Sequence, residues 1–370
     1  MVRRERTPAA RLLPDFPWDS LAEAKKTAQA HPDGIVDLSV GTPVDPVAEP
    51  IRGALTAHAD EPGYPQTIGR PELRRALRAA LTRRYGAVEL DDSQVLPVVG
   101  TKEAIAWLPF LLGARAGHTV VIPELAYPTY EVGALLAGAD VVRADSLTQL
   151  GPASPTLMYL NSPSNPSGKV LGVDHLRKVV GWARERGVIV ASDECYLGLS
   201  WEAEAVSVLD PRVNDGDVTG LLAIHSLSKT SNMASYRTGW FAGDAELIGE
   251  LTEARRHAGL MMPGPIQHAM TAALDDDDQE AAQRRRYGRR RDVLKAAVEA
   301  AGFTVDDSEG GLYIWATRGE PCRDTVNWLA ERGILAAPGE FYGPKGAEHV
   351  RIALTASDEA IQVAAGRLRA

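Results

Sequence analysis

In LLAIHSLSKTSNMASYRTG, residues 221–239, a short apolar run turns polar at Ser226, reaches Ser228 and Lys229, and is followed by Arg237. An amine at the end of a buried strand can condense with an aldehyde to give a Schiff base, and hydroxyls and a guanidinium beside it can hold an anion. Alone, such a lysine reads as a surface residue, because lysine is mostly exposed. Further polar positions change its weight, since each follows an apolar, strand-like run. They are Gly100-Thr101-Lys102 after VLPVV, Tyr127 after VVIP, Asn165 after TLMYL, and the Asp193/Tyr196 pair after VIVAS. In an open parallel sheet such positions converge at one edge.

Gly100-Thr101-Lys102 sets a glycine turn at the start of a helix. Free backbone N–H groups and the positive end of the helix dipole suit a phosphate there. The run is neither a Walker A loop nor GxGxxG, so it gives no support to nucleotide binding. Asp193 closes an apolar strand, where a carboxylate needs a cationic partner; capping the next turn is the plainer reading. Pyridoxal 5'-phosphate chemistry uses the whole set. A lysine forms the Schiff base, a carboxylate keeps the pyridine nitrogen protonated, a phenol and an amide donate to the ring oxygen, and an aromatic side chain stacks on the ring.

The elements that position these groups follow from periodicity. From Val95 onward, Val- and Ile-rich runs alternate with helical segments, which predicts a largely parallel sheet covered by helices on both faces. WFAGD after Gly239 reads as one more strand. Ser20 to Ala30, Pro50 to His58 and a segment from Pro71 have helical spacing, and IVDLSVGTP reads as a strand entering a turn. The segment 254–265 is rich in Gly, Pro and Met and marks a change. DDDDQEAAQRRRYGRRRDVLKAAVEAAG has acids first and bases later, matching the helix dipole, and its charges read as a solvated face. FTVDDSEGGLYIWATR to the end alternates strands and helices at shorter spacing, as in a smaller α+β domain. The expected division is 1–40 as N-terminal arm and small-domain segment, 41–280 as large domain, and 281–370 as small domain.

With 370 residues and 45% apolar content, the chain has room for two such domains. A formal net charge of -9 argues against a nucleic-acid partner. No apolar run is long enough to span a membrane. The start, MVRRERTPAARLLPDFPW, lacks the apolar core of a signal peptide and reads as an arm that docks through Phe16 and Trp18. Cys195 and Cys322 form neither a disulfide framework nor a metal spacing, so a reduced, cytoplasmic setting and no metal are expected.

The motifs NSPSNPSG, SDECY, SLSKTSNMASYRTGW and GILAAPGEFYGPKGAEHVRIAL, in this order, resemble those of fold-type I pyridoxal-phosphate enzymes of the class I/II aminotransferases. The resemblance runs from about Asp37 to the C-terminus. It implies that Lys229 forms the internal aldimine and then shuttles the substrate's Cα proton, and that Asp193 pairs with the ring nitrogen. Tyr196 and Asn165 would bond the ring oxygen and Tyr127 would stack on the ring. Thr101, Lys102, Ser226, Ser228 and Arg237 would surround the phosphate. Tyr64, in GYPQTIG, matches the tyrosine that reaches the neighbouring subunit's cofactor, so a homodimer is implied. Arg351, in HVRIAL, would clamp the substrate α-carboxylate bidentately, and Gly41 would leave room beside it.

LPDFPWDSLAEAKKTAQAHPDGIVDLSVGTPVDPV and GYPQTIG resemble the actinobacterial succinyldiaminopimelate type within this family. That resemblance implies amino transfer between glutamate/2-oxoglutarate and N-succinyl-2-amino-6-oxopimelate, in lysine and diaminopimelate biosynthesis. Aspartate-, aromatic- and alanine-type transamination, or a C–S β-lyase on the same fold, are the alternatives. No motif-matched second arginine for a distal carboxylate is present, which weighs against the aspartate type. A non-catalytic, cofactor-binding regulator would have no need of the full residue set.

Overall fold

The computed structural model describes residues 8–369. Residues 1–7 of the expected basic arm lie outside the described residues. The N-terminal segment supplies α1 (Ala22–Gln29) and β1 (Val36–Asp37). After α2 (Glu49–Ala57) and α3 (Pro71–Tyr85) come β2 (Val95–Val99), α4 (Thr101–Leu111), β3 (Thr119–Ile122), α5 (Thr129–Ala137) and β4 (Asp140–Arg143). Next are α6 (Leu147–Leu150), β5 (Leu157–Asn161), α7 (Val173–Arg186), β6 (Ile189–Asp193), α8 (Pro211–Asn214), β7 (Leu221–Ser226) and β8 (Thr238–Gly243). Three helices follow: α9 (Ala245–Ala258), α10 (Gly264–Asp275) and α11 (Asp277–Ala300). The C-terminal part holds β9 (Thr304–Asp306), β10 (Tyr313–Thr317), α12 (Cys322–Glu331), β11 (Ile334–Leu335), β12 (Ala337–Pro338), β13 (His349–Ala353) and α13 (Asp358–Arg369).

The large sheet has seven strands in the order β2-β8-β7-β6-β5-β3-β4. Only β8 runs antiparallel to its neighbours. This is the mostly parallel α/β sheet that the strand–helix alternation predicts. Every residue of β5, β7 and β8 is buried, as expected where helices cover both faces. The separate apolar clusters around Leu77, Val190 and Trp240 and around Ile105, Tyr130 and Phe241 form the core of this region.

The second sheet is antiparallel, ordered β12-β13-β10-β9. β1 pairs in parallel with β11, so a segment near the N-terminus joins the C-terminal part. Leu21, Val36 and Leu38 share one apolar cluster with Leu312, Ile314, Ile352 and Leu368. The smaller α+β unit is thus built from both regions of the chain.

Local signals account for several ends. Pro71 opens α3 and Gly86 closes it in the left-handed conformation. The Asp276 carboxylate caps α11, accepting from the Asp278 and Gln279 N–H groups at 3.0 and 3.1 Å. The solvated-face reading of α11 is corrected. Glu280, Gln283, Arg290 and Arg291 are buried, because this helix runs between the two packed regions and part of its charged surface meets protein. Arg290 pairs with Asp45 at 2.7 Å and with Asp358 at 2.6 Å. No helix among the described residues is long and apolar enough to cross a membrane.

Candidate active site

The carboxyl ends of β5, β6 and β7 open on a cavity of about 560 Å³. Its wall includes Gly41, Thr101, Lys102, Tyr127, Asn165, Asp193, Tyr196, Ser226, Ser228, Lys229, Arg237 and Arg351. Every candidate from the sequence is therefore brought to one place except Tyr64, which is 98% exposed and lies outside this chain's own cavity. Phe16 and Trp18 dock over the cavity as expected, with Trp18 against Phe341 at 5.3 Å between ring centres and Phe16 under the Lys102 ammonium at 5.4 Å.

Lys229 lies three residues past the end of β7, and its amine donates to the Gly41 carbonyl. Burial lowers its pKa below the ordinary lysine value, with Tyr313 and Cys195 acting the other way, which makes the neutral, nucleophilic amine easier to reach. Asp193, at the end of β6, accepts from the Tyr130 hydroxyl at 2.7 Å and from the Cys195 N–H at 3.2 Å. Burial nevertheless raises its pKa. The turn-capping role and the buried-acid role thus coexist in this residue. A cation beside the carboxylate would return it to the charged form.

The anion cradle is built at the N-terminus of α4. Gly100 has φ +83°, a conformation that favours glycine, and a Cβ there would lie 2.3 Å from a guanidinium nitrogen of Arg237 and push that side chain aside. No side chain caps this helix, and its first N–H groups are left without intrahelical partners. The Ser226 hydroxyl donates to the Thr238 carbonyl at 3.0 Å and accepts from the Ser228 N–H at 3.0 Å, fixing the loop that carries Lys229. Arg237 donates to the Ala234 carbonyl at 2.9 Å.

At the opposite wall, Arg351 is buried on β13. One terminal nitrogen donates to the side-chain oxygen of Asn165 and the other to the Ser39 carbonyl, each at 2.8 Å. Its Nε is buried and has no hydrogen-bond partner among the described residues. The ring of Tyr313 lies 3.9 Å from its guanidinium carbon. Burial pushes the Tyr127 phenol up to about 12.

Three supporting residues escape motif reading. Tyr130 holds the Asp193 carboxylate. Asn161 donates to the Asp193 carbonyl at 2.9 Å and accepts from the Asn165 N–H at 2.7 Å, tying two site residues together. Tyr313 joins Tyr196 and Arg351. Asn161 stands in NSPSNPSG, the one signal that could have marked it.

The fold and this constellation define a fold-type I, pyridoxal-phosphate-dependent transferase. The sequence model of the family described as "Aminotransferase class I and II" matches residues 33–368, and the chain belongs to that family. A probable aminotransferase of Mycobacterium tuberculosis, Rv1178, is 66% identical over 96% of this chain and 85% of that protein. The Streptomyces rimosus protein called 4-dedimethylamino-4-oxo-anhydrotetracycline transaminase OxyQ is 55% identical over 97% of this chain and 99% of its own. Substrate-bound BacF from Bacillus subtilis, a solved structure, superposes with a TM-score of 0.89 at 27% identity, covering 99% of this chain and 98% of that one.

The residues present fit the cofactor of this family. The α4 cradle with Arg237 suits its phosphate, the Asp193 carboxylate suits a pyridinium, and a half-buried amine faces the same cavity. When bound, pyridoxal phosphate supplies the electron sink for cleavage of a substrate Cα–H bond.

Proposed function

We propose that this aminotransferase moves an amino group from glutamate to an acceptor whose 2-oxo acid end is paired with a distal carboxylate, N-succinyl-2-amino-6-oxopimelate being the acceptor favoured by the sequence resemblance. The observation that carries the reading is that Lys229, Asp193 and Arg351 line one cavity. Lys229 then moves the proton, Asp193 holds the ring nitrogen charged, and Tyr196 and Asn165 hold the ring oxygen. Thr101, Lys102, Ser226, Ser228 and Arg237 hold the phosphate, Tyr127 covers the ring, and Arg351 orients the substrate beside Gly41. Support for a distal anion comes from Lys25, which lines the same cavity and forms no salt bridge among the described residues. In this reading residues 1–40 and 281–370 form the smaller domain against 41–280. The working unit is a cytoplasmic homodimer in which Tyr64 reaches the partner's cofactor.

The 55% identity to OxyQ favours a second reading, a bulky cyclic ketone as acceptor. An acceptor panel separates the two. Purified holoprotein is given glutamate with the succinylated oxopimelate, oxaloacetate, phenylpyruvate, pyruvate or a polycyclic ketone, and cysteine conjugates are scored for pyruvate release. The highest kcat/KM is expected with the succinylated acceptor. Equal or better turnover of oxaloacetate or phenylpyruvate overturns that substrate, and faster pyruvate release than amino transfer points to β-elimination.

A further inference from the structure

We infer that Tyr313, at the start of β10, is a positioning residue that couples the substrate clamp to the group expected to bond the cofactor's ring oxygen. The inference rests on the site roles proposed above. The phenol is wedged among three parts of the site. Its hydroxyl lies 3.2 Å from the Tyr196 hydroxyl. Its ring lies 3.9 Å from the guanidinium carbon of Arg351. A Cβ on Gly41, the residue whose carbonyl accepts from Lys229, would come within 2.2 Å of its oxygen.

Tyr313 is buried at 5% exposure, and the ionisable groups acting on it are Arg351, Lys229, Tyr196 and Cys195. Burial raises its pKa, while Arg351, Lys229 and the Tyr196 hydrogen bond together leave it lowered, and burial drives Tyr196 up. Either hydroxyl can be the donor of this contact; where Tyr196 gives its proton to the ring oxygen, Tyr313 is left to donate to Tyr196. Donation into the Tyr196 oxygen also makes that proton a stronger donor. The aromatic face, meanwhile, holds the guanidinium by cation–π attraction. One side chain therefore serves two functions that separate substitutions can split.

Tyr313→Phe keeps the ring and removes the hydroxyl. In the holoprotein the pH midpoint of the cofactor's near-visible absorbance is expected to rise by about 0.4–1 unit. The kcat for glutamate should fall about tenfold or less while KM stays near wild type. Tyr313→Leu loses the ring as well, and KM for glutamate should rise about 5–30-fold. A Tyr313→Phe holoprotein with an unshifted absorbance midpoint and wild-type kcat overturns the inference, whether or not the Leu variant folds. Wild-type protein that binds no pyridoxal phosphate, or transfers no amino group from glutamate, instead sinks the site reading beneath it.

Discussion

Arg351 on β13 and Asn165 after β5 meet through a 2.8 Å hydrogen bond across 186 residues of sequence. The bond occupies the Asn165 side-chain oxygen and leaves the amide N–H₂ as the end free to donate. The same guanidinium reaches the Ser39 carbonyl, so its plane is set before any substrate arrives. A carboxylate binding here meets a rigid fork, and the fork is registered to the residue expected at the ring oxygen.

Arg351→Lys should therefore do more than shorten a side chain. An ammonium cannot span Asn165, Ser39 and a substrate carboxylate in one plane. The KM for glutamate is expected to rise roughly 10–100-fold, with a smaller change in kcat, because charge-assisted hydrogen bonds are worth roughly 1.5–3 kcal/mol. Steady-state kinetics at saturating acceptor reads this directly. An unchanged KM would remove Arg351 from substrate binding.

Asp193 gives a stability test with a definite pH sign. Burial raises its carboxyl pKa in the fold, so the folded apoprotein binds the proton more tightly than the unfolded chain does. The cost of ionising it is absent well below the ordinary carboxylate pKa and grows as pH rises through the raised folded value. Asp193→Asn removes that cost. Apoprotein carrying the substitution should melt higher than wild type near pH 8, and the difference should shrink as pH falls. The same variant should lose most of its transamination, since it leaves the ring nitrogen without an anionic partner. A variant less stable than wild type near pH 8 as well as at lower pH would contradict the assignment.

The strand ends were readable because each apolar run is short and each is followed by a polar residue with a chemical use. Lys229, Asp193 and Asn165 stand at such ends, and the sheet gathers them. Tyr130 and Tyr313 were not readable in this way. Their partners Asp193 and Tyr196 lie 63 and 117 residues away, in segments whose packing no local pattern encodes. The charge run on α11 misled for a related reason. Helical periodicity tells which residues share a face, but not which charged face will meet a second layer of protein, as Arg290 does.

That arginine carries a stability prediction. Asp45 is largely buried, and Arg290 lowers its pKa through hydrogen bonding and charge, against the opposing effect of burial. Arg290→Met strips Asp45 of its paired guanidinium and leaves it only the Gln283 amide at 2.9 Å and the more distant Arg286 at 3.7 Å. The expected loss is about 2–4 kcal/mol in urea unfolding. Adding Asp45→Asn should recover part of it, because the poorly compensated charge is then gone. Equal losses in the single and double variants would show that the pair contributes packing alone.

Lys25 tests the distal anion. It lines the cavity on the wall that also carries Trp18 and Leu21. Lys25→Met is expected to raise KM for 2-oxoadipate or the succinylated oxopimelate about three- to tenfold, a typical effect for a partly exposed ion pair, and to leave 2-oxohexanoate unaffected. A parallel rise for the neutral acceptor would mean that the residue shapes the wall without reading charge.

Tyr64 remains the one candidate that this chain's own cavity does not use, and its side chain stands almost wholly in solvent. A role across a dimer can be tested by complementation. Tyr64→Ala protein retains Lys229 but would lack the donated tyrosine in both sites. Lys229→Ala protein retains the tyrosine but has no amine. In a hybrid dimer, the Lys229 of one subunit receives Tyr64 from the other, restoring one complete site, while the second site lacks both groups. Co-refolding equal amounts should give hybrids in about half of the dimers, and so roughly a quarter of the wild-type number of complete sites. Cofactor affinity and turnover in the mixture should then exceed the average of the two parents. Activity no greater than that average, with hybrid formation verified by differential tags, would place Tyr64 outside the partner's site.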